Sequence, residues 1–408
     1  MKQIITSLLD QDLYKVNMGQ VLLNQYSDAD VVWAYKNRDA DTRKFTQEII
    51  DDIKAQIKLF CSLKFTKEEI EWLGKTCPWL SKAYLSFLTI YQPQYEWFDI
   101  SLLDNGQLEL LIRGPQYLTT FCETPTMAII SEVYFKRALS DTDYLTSLDE
   151  LYKRADKKIQ MLVDGEWELG AFSDFGTRRR FSKESFDKII GMFCQARTAF
   201  TGGTVFIGTS NMEMAKKYNI KPVGTMAHEL IQTIGQGYPE CNPAYSNKFV
   251  MDAWHKEFGT ENGIYLTDCI GTDVFLRDFN KMNAKLFDGV RHDSGDPVEW
   301  GNKIIVHYEK LGIDPKTKTL LFSDSLTFDK ANVLYGIFSD RINVAFGIGT
   351  YIAADTNVKA MNQVLKVIEV NSMPVAKLSD VEGKNNCRSP EYVEFLKRTI
   401  AWRMNNEQ

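Results

Sequence analysis

The chain has 408 residues, of which 44% are apolar and 25% charged, the balance of a folded globular protein and not of a disordered, collagen-like or coiled-coil one. Its length exceeds what one hydrophobic core usually spans, so two or three domains are expected. With 48 basic and 54 acidic residues the net charge is −6, the wrong sign for a dedicated nucleic-acid binder, so any phosphate binding must be local.

The first residues meet Asp10 and Asp12 before a long apolar stretch accumulates, so no signal peptide is expected. No run of about eighteen apolar residues follows, so no membrane span or membrane partner is expected. Seven cysteines, Cys61, Cys77, Cys122, Cys194, Cys241, Cys269 and Cys387, are odd in number and show no metal-ligand spacing. Free thiols in a reducing compartment fit best, and the reading is a cytoplasmic protein.

Residues 1–165 mix amphipathic helices with short alternating strands and the turn cluster Asp104-Asn105-Gly106, an α+β pattern. Thr66-Lys67-Glu68-Glu69 reads as a capping box, and Ser147-Leu148-Asp149-Glu150 as another, opening a helix with Leu148, Leu151, Tyr152, Ala155 and Ile159 on one face. After Asp164-Gly165 the rhythm changes to short β-branched or aromatic runs ending in Gly, Ser, Thr or Asp, each followed by a helical segment. The predicted strand ends are 172–175, 205–208, 222–224, 264–267, 287–291, 320–323, 343–346 and 364–370. Eight such units suffice for a parallel barrel of about 250 residues, and a doubly wound open sheet is the alternative. The two-domain division is therefore 1–165 and 166–408. Either topology gathers function at the carboxyl ends of the strands.

Polar clusters fall at those ends. Phe175-Gly176-Thr177-Arg178-Arg179-Arg180-Phe181 offers guanidinium forks to an anion unless it is only a solvated basic turn. Gly208-Thr209-Ser210-Asn211 follows the next run. Gly224-Thr225-Met226-Ala227-His228-Glu229 carries one of four histidines; this one could act as base, acid or phosphoryl acceptor, or be a satisfied structural residue. Glu229 is adjacent in sequence, which does not make it a partner of His228. His255 and His307 read as structural residues on helices. Arg291-His292-Asp293-Ser294-Gly295-Asp296-Pro297 is the densest cluster; carboxylates beside an arginine suit ribose hydroxyls, a Mg²⁺ shell and a diphosphate, though an Asx turn explains part of it. Ser323-Asp324-Ser325 and Phe346-Gly347-Ile348-Gly349-Thr350 close the series, the latter with glycine-rich backbone N–H groups. Neither a Walker A sequence nor a G-x-G-x-x-G fingerprint is present.

These clusters, in this order, resemble the nicotinate phosphoribosyltransferase family of the type II fold, from Leu8-Leu9-Asp10-Gln11-Asp12-Leu13-Tyr14-Lys15 through Val375-Ala376-Lys377-Leu378-Ser379-Asp380. The resemblance implies an α/β protein, an irregular α/β barrel with an N-terminal α+β domain, assembled as a homodimer with shared active sites. It implies that nicotinate and phosphoribosyl pyrophosphate give nicotinate mononucleotide and pyrophosphate, with Mg²⁺ as cofactor and ATP as co-substrate. Under it His228 becomes a phosphohistidine, and Arg291 and Asp293 join it as catalytic residues. It assigns Tyr14, Phe175, Arg178, Ser210, Thr209, Arg38, Ser323, Asp324, Gly349 and Thr350 to the substrates, with Phe175 and the partner's Tyr14 clamping the pyridine. Metal ligands are left unassigned. Leu230 stands where relatives often have Trp, and Ser325 where Asn is commoner.

Ser210 bears on the alternative of nicotinamide phosphoribosyltransferase, in which an Asp at this place accepts from an amide; a hydroxyl can donate to a carboxylate. Quinolinate phosphoribosyltransferase is shorter and lacks a phosphohistidine. A silent metabolite-binding barrel is disfavoured because His228, Arg178, Arg291 and Asp293 are all present.

Overall fold

The computed structural model describes residues 2–380 and 387–407. Two sheets organise them. The first is antiparallel and uses β1 (Asp30–Asn37), β2 (Phe98–Leu102), β3 (Leu108–Pro115), β11 (Gln363–Val370) and β12 (Met373–Pro374), in the order β12-β11-β1-β3-β2. Gly106, at φ +75°, closes the β2–β3 hairpin, with Gln107 N–H donating to Asn105 Oδ1 at 3.0 Å. The Thr66 capping box forms as its sequence predicts, Thr66 and Glu69 each accepting from the other's backbone.

The second sheet is parallel and has seven strands: β4 (Ala171–Asp174), β5 (Val205–Thr209), β6 (Lys221–Pro222), β7 (Ile264–Leu266), β8 (Gly289–His292), β9 (Thr319–Phe322) and β10 (Asn343–Ile348). Their order is β6-β5-β4-β10-β9-β8-β7. The edge strands β6 and β7 approach across the seam, where the Thr225 hydroxyl donates to the Ile264 carbonyl at 2.6 Å. This is the irregular barrel expected. Helices pack outside it: Phe172, on β4, meets Phe193, Phe206 and Phe328 at ring-centroid distances of 6.1, 5.2 and 5.4 Å. Asn211 and Asp296, just past the ends of β5 and β8, cap the helices Met212–Tyr218 and Pro297–Lys310, and Ser182, beyond the arginine turn, caps Lys183–Ala196.

Two expectations are corrected. The eighth strand, 364–370, pairs antiparallel with β1, Val31 opposite Val370 through Asn37 opposite Gln363, so the chain returns to the first sheet after completing the parallel one. Ser147 opens no helix: the helix is Asp141–Val163, capped by Ser140 accepting from Asp143 N–H, and Ser147 lies buried within it. Leu151, Ala155 and Ile159 form its buried face as predicted.

The two sheets are stitched together by residues 9–13. They run along the end of β5, with Leu13 N–H donating to the Ser210 carbonyl at 2.9 Å and Met212 N–H to that of Gln11 at 3.0 Å. Asp12 and Asn211 form an antiparallel bridge.

Candidate functional site

At the end of β4 the chain turns sharply, and the Phe175 ring lies against Gly347 of β10, where any Cβ would overlap it. Tyr14 sits beside Gly224, whose φ of +127° favours glycine. Both rings are half-buried. The turn Thr177–Arg179 then presents Arg178 and Arg179, while Arg180 points inward, fully buried, with both prongs on Asp10 at 2.5 and 2.8 Å. The arginine triplet is thus divided between one structural and two available guanidinium groups.

Arg38, just beyond β1, joins that pair. Burial, then Arg178 and Arg38, hold Arg179 down to about 10, and burial with Arg178 likewise lowers Arg38, although Asp293 and Asp324 attract it. A cluster of cations that repel one another is relieved by an incoming anion. Arg179 was not singled out from the sequence; its place beside Arg178 in the triplet was the available signal.

His228 begins the helix His228–Gln236. Its Nε2 lies 2.7 Å from Asp268 Oδ1 and 3.7 Å from Asp293 Oδ2. Asp268 Oδ2 accepts from Ser294 Oγ at 2.6 Å and meets Lys377 Nζ at 2.8 Å. Burial, assisted by Lys377, pushes the imidazole down to about 4 against the pull of Asp268. A neutral ring that donates from Nε2 to Asp268 carries its lone pair on Nδ1, the arrangement of an oriented nucleophile. Neither Asp268 nor Lys377 was picked out from sequence. Asp268 follows Thr267 at a predicted strand end, a sufficient signal; Lys377 lies outside the strand–helix rhythm, and its signal was its place in the Val375–Asp380 stretch.

Asp293 is half-buried at the end of β8, next to Arg291, and accepts from Ser323 Oγ at 3.1 Å. Asp324, Gly349 and Thr350 are half-buried at the neighbouring ends. Ser325 adopts φ +50°, a conformation Asn tolerates better than Ser. Asp296 is a helix cap, accepting from Val298 and Glu299 N–H at 2.9 and 2.8 Å, so of the two acids in its cluster only Asp293 faces the mouth.

One assignment changes. Thr209 is fully buried, donating to Asp174 Oδ2 at 2.7 Å and accepting from Asn211 N–H at 3.1 Å, which makes it a support beneath the mouth and not a ligand contact. The Ser210 hydroxyl hydrogen-bonds Asp12 Oδ1 at 2.7 Å, so what it offers a ligand depends on Asp12. Tyr14 stands half-buried beside Gly224 of its own chain. Glu229, whose partnership with His228 its adjacency left open, turns inward to Lys15 Nζ at 2.5 Å and Thr120 Oγ1 at 2.8 Å. Among the described residues His255 and His307 hydrogen-bond the backbone carbonyls of Gly259 and Phe279.

His228, Asp268 and Asp293 bring one ligand atom each within 4.8 Å of one another. Both oxygens of Asp268 are engaged by His228, Ser294 and Lys377. Asp293 is therefore the residue that fits a hard cation sharing its shell with substrate oxygens, the way Mg²⁺ is usually held.

A profile of the Nicotinate phosphoribosyltransferase (NAPRTase) family matches residues 171–402, and that of its N-terminal domain matches residues 9–131. The chain is 38% identical over 400 residues to a nicotinate phosphoribosyltransferase of Ralstonia nicotianae, covering 98% of this chain and 99% of that one. It is 38% identical over 401 residues to nicotinate phosphoribosyltransferase 1 of Pseudomonas aeruginosa, covering 98% and 97%. Crystal structures of nicotinate phosphoribosyltransferases from Porphyromonas gingivalis and Vibrio cholerae superpose with TM-scores of 0.89 and 0.90 at 32% identity. They cover 98% of this chain, and 100% and 95% of their own.

Proposed function

The chain belongs to the nicotinate phosphoribosyltransferase family, and from that premise we propose how its mouth carries out the transfer of a phosphoribosyl group to nicotinate in NAD salvage. The observation that carries the reading is the buried His228 held by Asp268 among phosphate-compatible groups, 3.7 Å from Asp293. In the first half-reaction Nδ1 of His228 attacks the γ-phosphorus of ATP; the N–P bond forms, the bridging P–O bond breaks, and ADP leaves with the electron pair. Asp268 then faces the positive charge that develops on the ring. Hydrolysis of the N–P bond returns the imidazole, linking ATP to turnover.

For the transfer itself, Arg38, Arg178 and Arg179 gather the charge of the phosphates, and Gly349, Thr350, Ser323 and Asp324 line the same rim. Phe175 and Tyr14 hold the pyridine between aromatic faces. Substitution at the anomeric carbon develops oxocarbenium character while pyrophosphate departs as an anion; Asp293 faces the first charge and Arg291 the second. Asp293 would hold Mg²⁺, which when bound neutralises the departing pyrophosphate. The homodimer with shared active sites, Tyr14 of one subunit facing Phe175 of the other, remains part of the proposal.

Incubation with γ-labelled ATP should yield a label that survives base, is lost in mild acid, and is missing from His228→Ala. An acid-stable label, or one retained by that variant, refutes the phosphohistidine.

A further inference from the structure

Asp12 and Ser210 are joined by one hydrogen bond, and its direction decides what Ser210 shows to a ligand. Both are buried, at 4% and 3% exposure, with Ser210 Oγ and Asp12 Oδ1 2.7 Å apart. If Asp12 is a carboxylate, the Ser210 proton points at Asp12 and only oxygen lone pairs remain for the ligand. Lone pairs accept from a carboxamide N–H and repel a carboxylate. If Asp12 is a carboxylic acid, it donates to Ser210 Oγ, and the serine hydroxyl turns to donate to a carboxylate.

The surroundings of Asp12 favour the acid. Among the described residues no lysine, arginine or histidine lies within ion-pair distance of it, whereas Asp10, two residues earlier, is forked by Arg180. The groups acting on Asp12 are the Thr177 and Ser210 hydroxyls, Arg178, Tyr14 and the acids Glu123 and Asp174. Glu123 in turn draws Arg178, at 3.9 Å. Asp174 is a second buried acid, held by Thr209 Oγ1 at 2.7 Å and Gly176 N–H at 3.0 Å, also without a cation among the described residues. Burial raises Asp12 above the usual carboxylate range despite the hydroxyls, and pushes Asp174 up to about 8.

We propose that Asp12 is a specificity-determining positioning residue: in the nicotinate-bound state it is the protonated member of the Asp12–Ser210 pair, and by donating to Ser210 it aims the serine hydroxyl at the substrate carboxylate. This deepens the functional reading above and rests on it. Any Asp12 that is ionised in the free enzyme takes up one proton from solvent when nicotinate binds. The nicotinate KM therefore climbs with pH, by up to tenfold per unit once free Asp12 is ionised, while nicotinamide gains relative to nicotinate.

The test measures kcat and KM for nicotinate, nicotinamide and phosphoribosyl pyrophosphate from pH 6 to 9 in wild type, Asp12→Asn and Ser210→Ala. The asparagine amide donates to Ser210 at every pH, so Asp12→Asn should hold its nicotinate KM near the wild-type value at pH 6 and keep it flat upward. Ser210→Ala, which removes the acceptor, should raise the nicotinate KM and lose the same pH dependence. A wild-type nicotinate KM independent of pH, or one whose rise is retained in both variants, overturns the proposal. So does an Asp12→Asn enzyme with nicotinate and phosphoribosyl pyrophosphate KM values raised alike, as a structural defect would give. Wild-type protein that makes no nicotinate mononucleotide at all instead overturns the functional reading on which the proposal rests.

Discussion

Asp10 and Lys15 meet buried partners of opposite charge, whereas Asp12, between them, meets hydroxyls and further acids. On one side Lys15 lies 2.5 Å from both Glu123 and Glu229, Lys366 approaches Glu123 at 3.6 Å, and Arg180 forks Asp10. On the other, Asp12 and Asp174 sit among the Thr177, Thr209 and Ser210 hydroxyls, and burial raises both above the usual carboxylate range. The matched region joins the N-terminal helix Leu13–Gln25, the helix Glu123–Ala138, β11 and the helix that begins at His228; it keeps the two sheets in register. The unmatched region lies beneath the mouth, where burial disfavours the charge on Asp12 and Asp174 and so leaves the positive rim of Arg38, Arg178 and Arg179 less cancelled. Burying a charge is tolerable when it is paired, and burying an acid is tolerable when it stays protonated; the chain uses both solutions within five residues.

Breaking the matched side should have the larger effect. Lys15→Met leaves Glu123 and Glu229 buried without their shared cation and should cost about 3–5 kcal/mol in urea unfolding, the usual penalty for orphaning a buried charge. Adding Glu229→Gln should recover part of it, because the two changes act on one contact. A Lys15→Met loss below about 1 kcal/mol would mean that the ion pairs do not hold the sheets together.

The unmatched side has a gentler signature, of opposite sign with pH. Asp10, held at about 2 by Arg180 against burial, contributes stability above its ordinary 3.8 that disappears as pH falls through about 2. Asp174 keeps its proton in the folded state up to about 8, against an ordinary 3.8, so the folded chain binds more protons than the unfolded one in between. Its share of the stability therefore declines as pH rises across that window. Unfolding free energies measured from pH 5 to 8 should fall less steeply in Asp174→Asn than in wild type, with little loss at pH 5. Parallel slopes would show that Asp174 is ionised and that the two regions do not differ as described.

How far the sequence reveals this follows from the range of each interaction. The seven parallel strands are legible because each ends in a local signal, an apolar run giving way to Gly, Ser, Thr or Asp. The segment 364–370 carries the same run, but which sheet it enters depends on β1, more than three hundred residues earlier, and no local pattern records that. Ser140 and Ser147 are both followed by an acid three residues on; only the fold separates the cap from the interior residue. In the site, His228, Asp293 and Arg178 stand out because each sits in a dense polar cluster. Lys377, Arg180 and Asp12 take their roles from partners 109, 170 and 198 positions away, and the Ser210 hydroxyl looks free until Asp12 is placed against it.

The central claim is that His228 couples ATP to the transfer from inside this mouth. Purified protein should be mixed with nicotinate, phosphoribosyl pyrophosphate and Mg²⁺, with and without ATP, and nicotinate mononucleotide followed in wild type and His228→Ala. The expected result is product formation that ATP accelerates in wild type and leaves unchanged in the variant. Equal acceleration by ATP in both proteins would contradict the account.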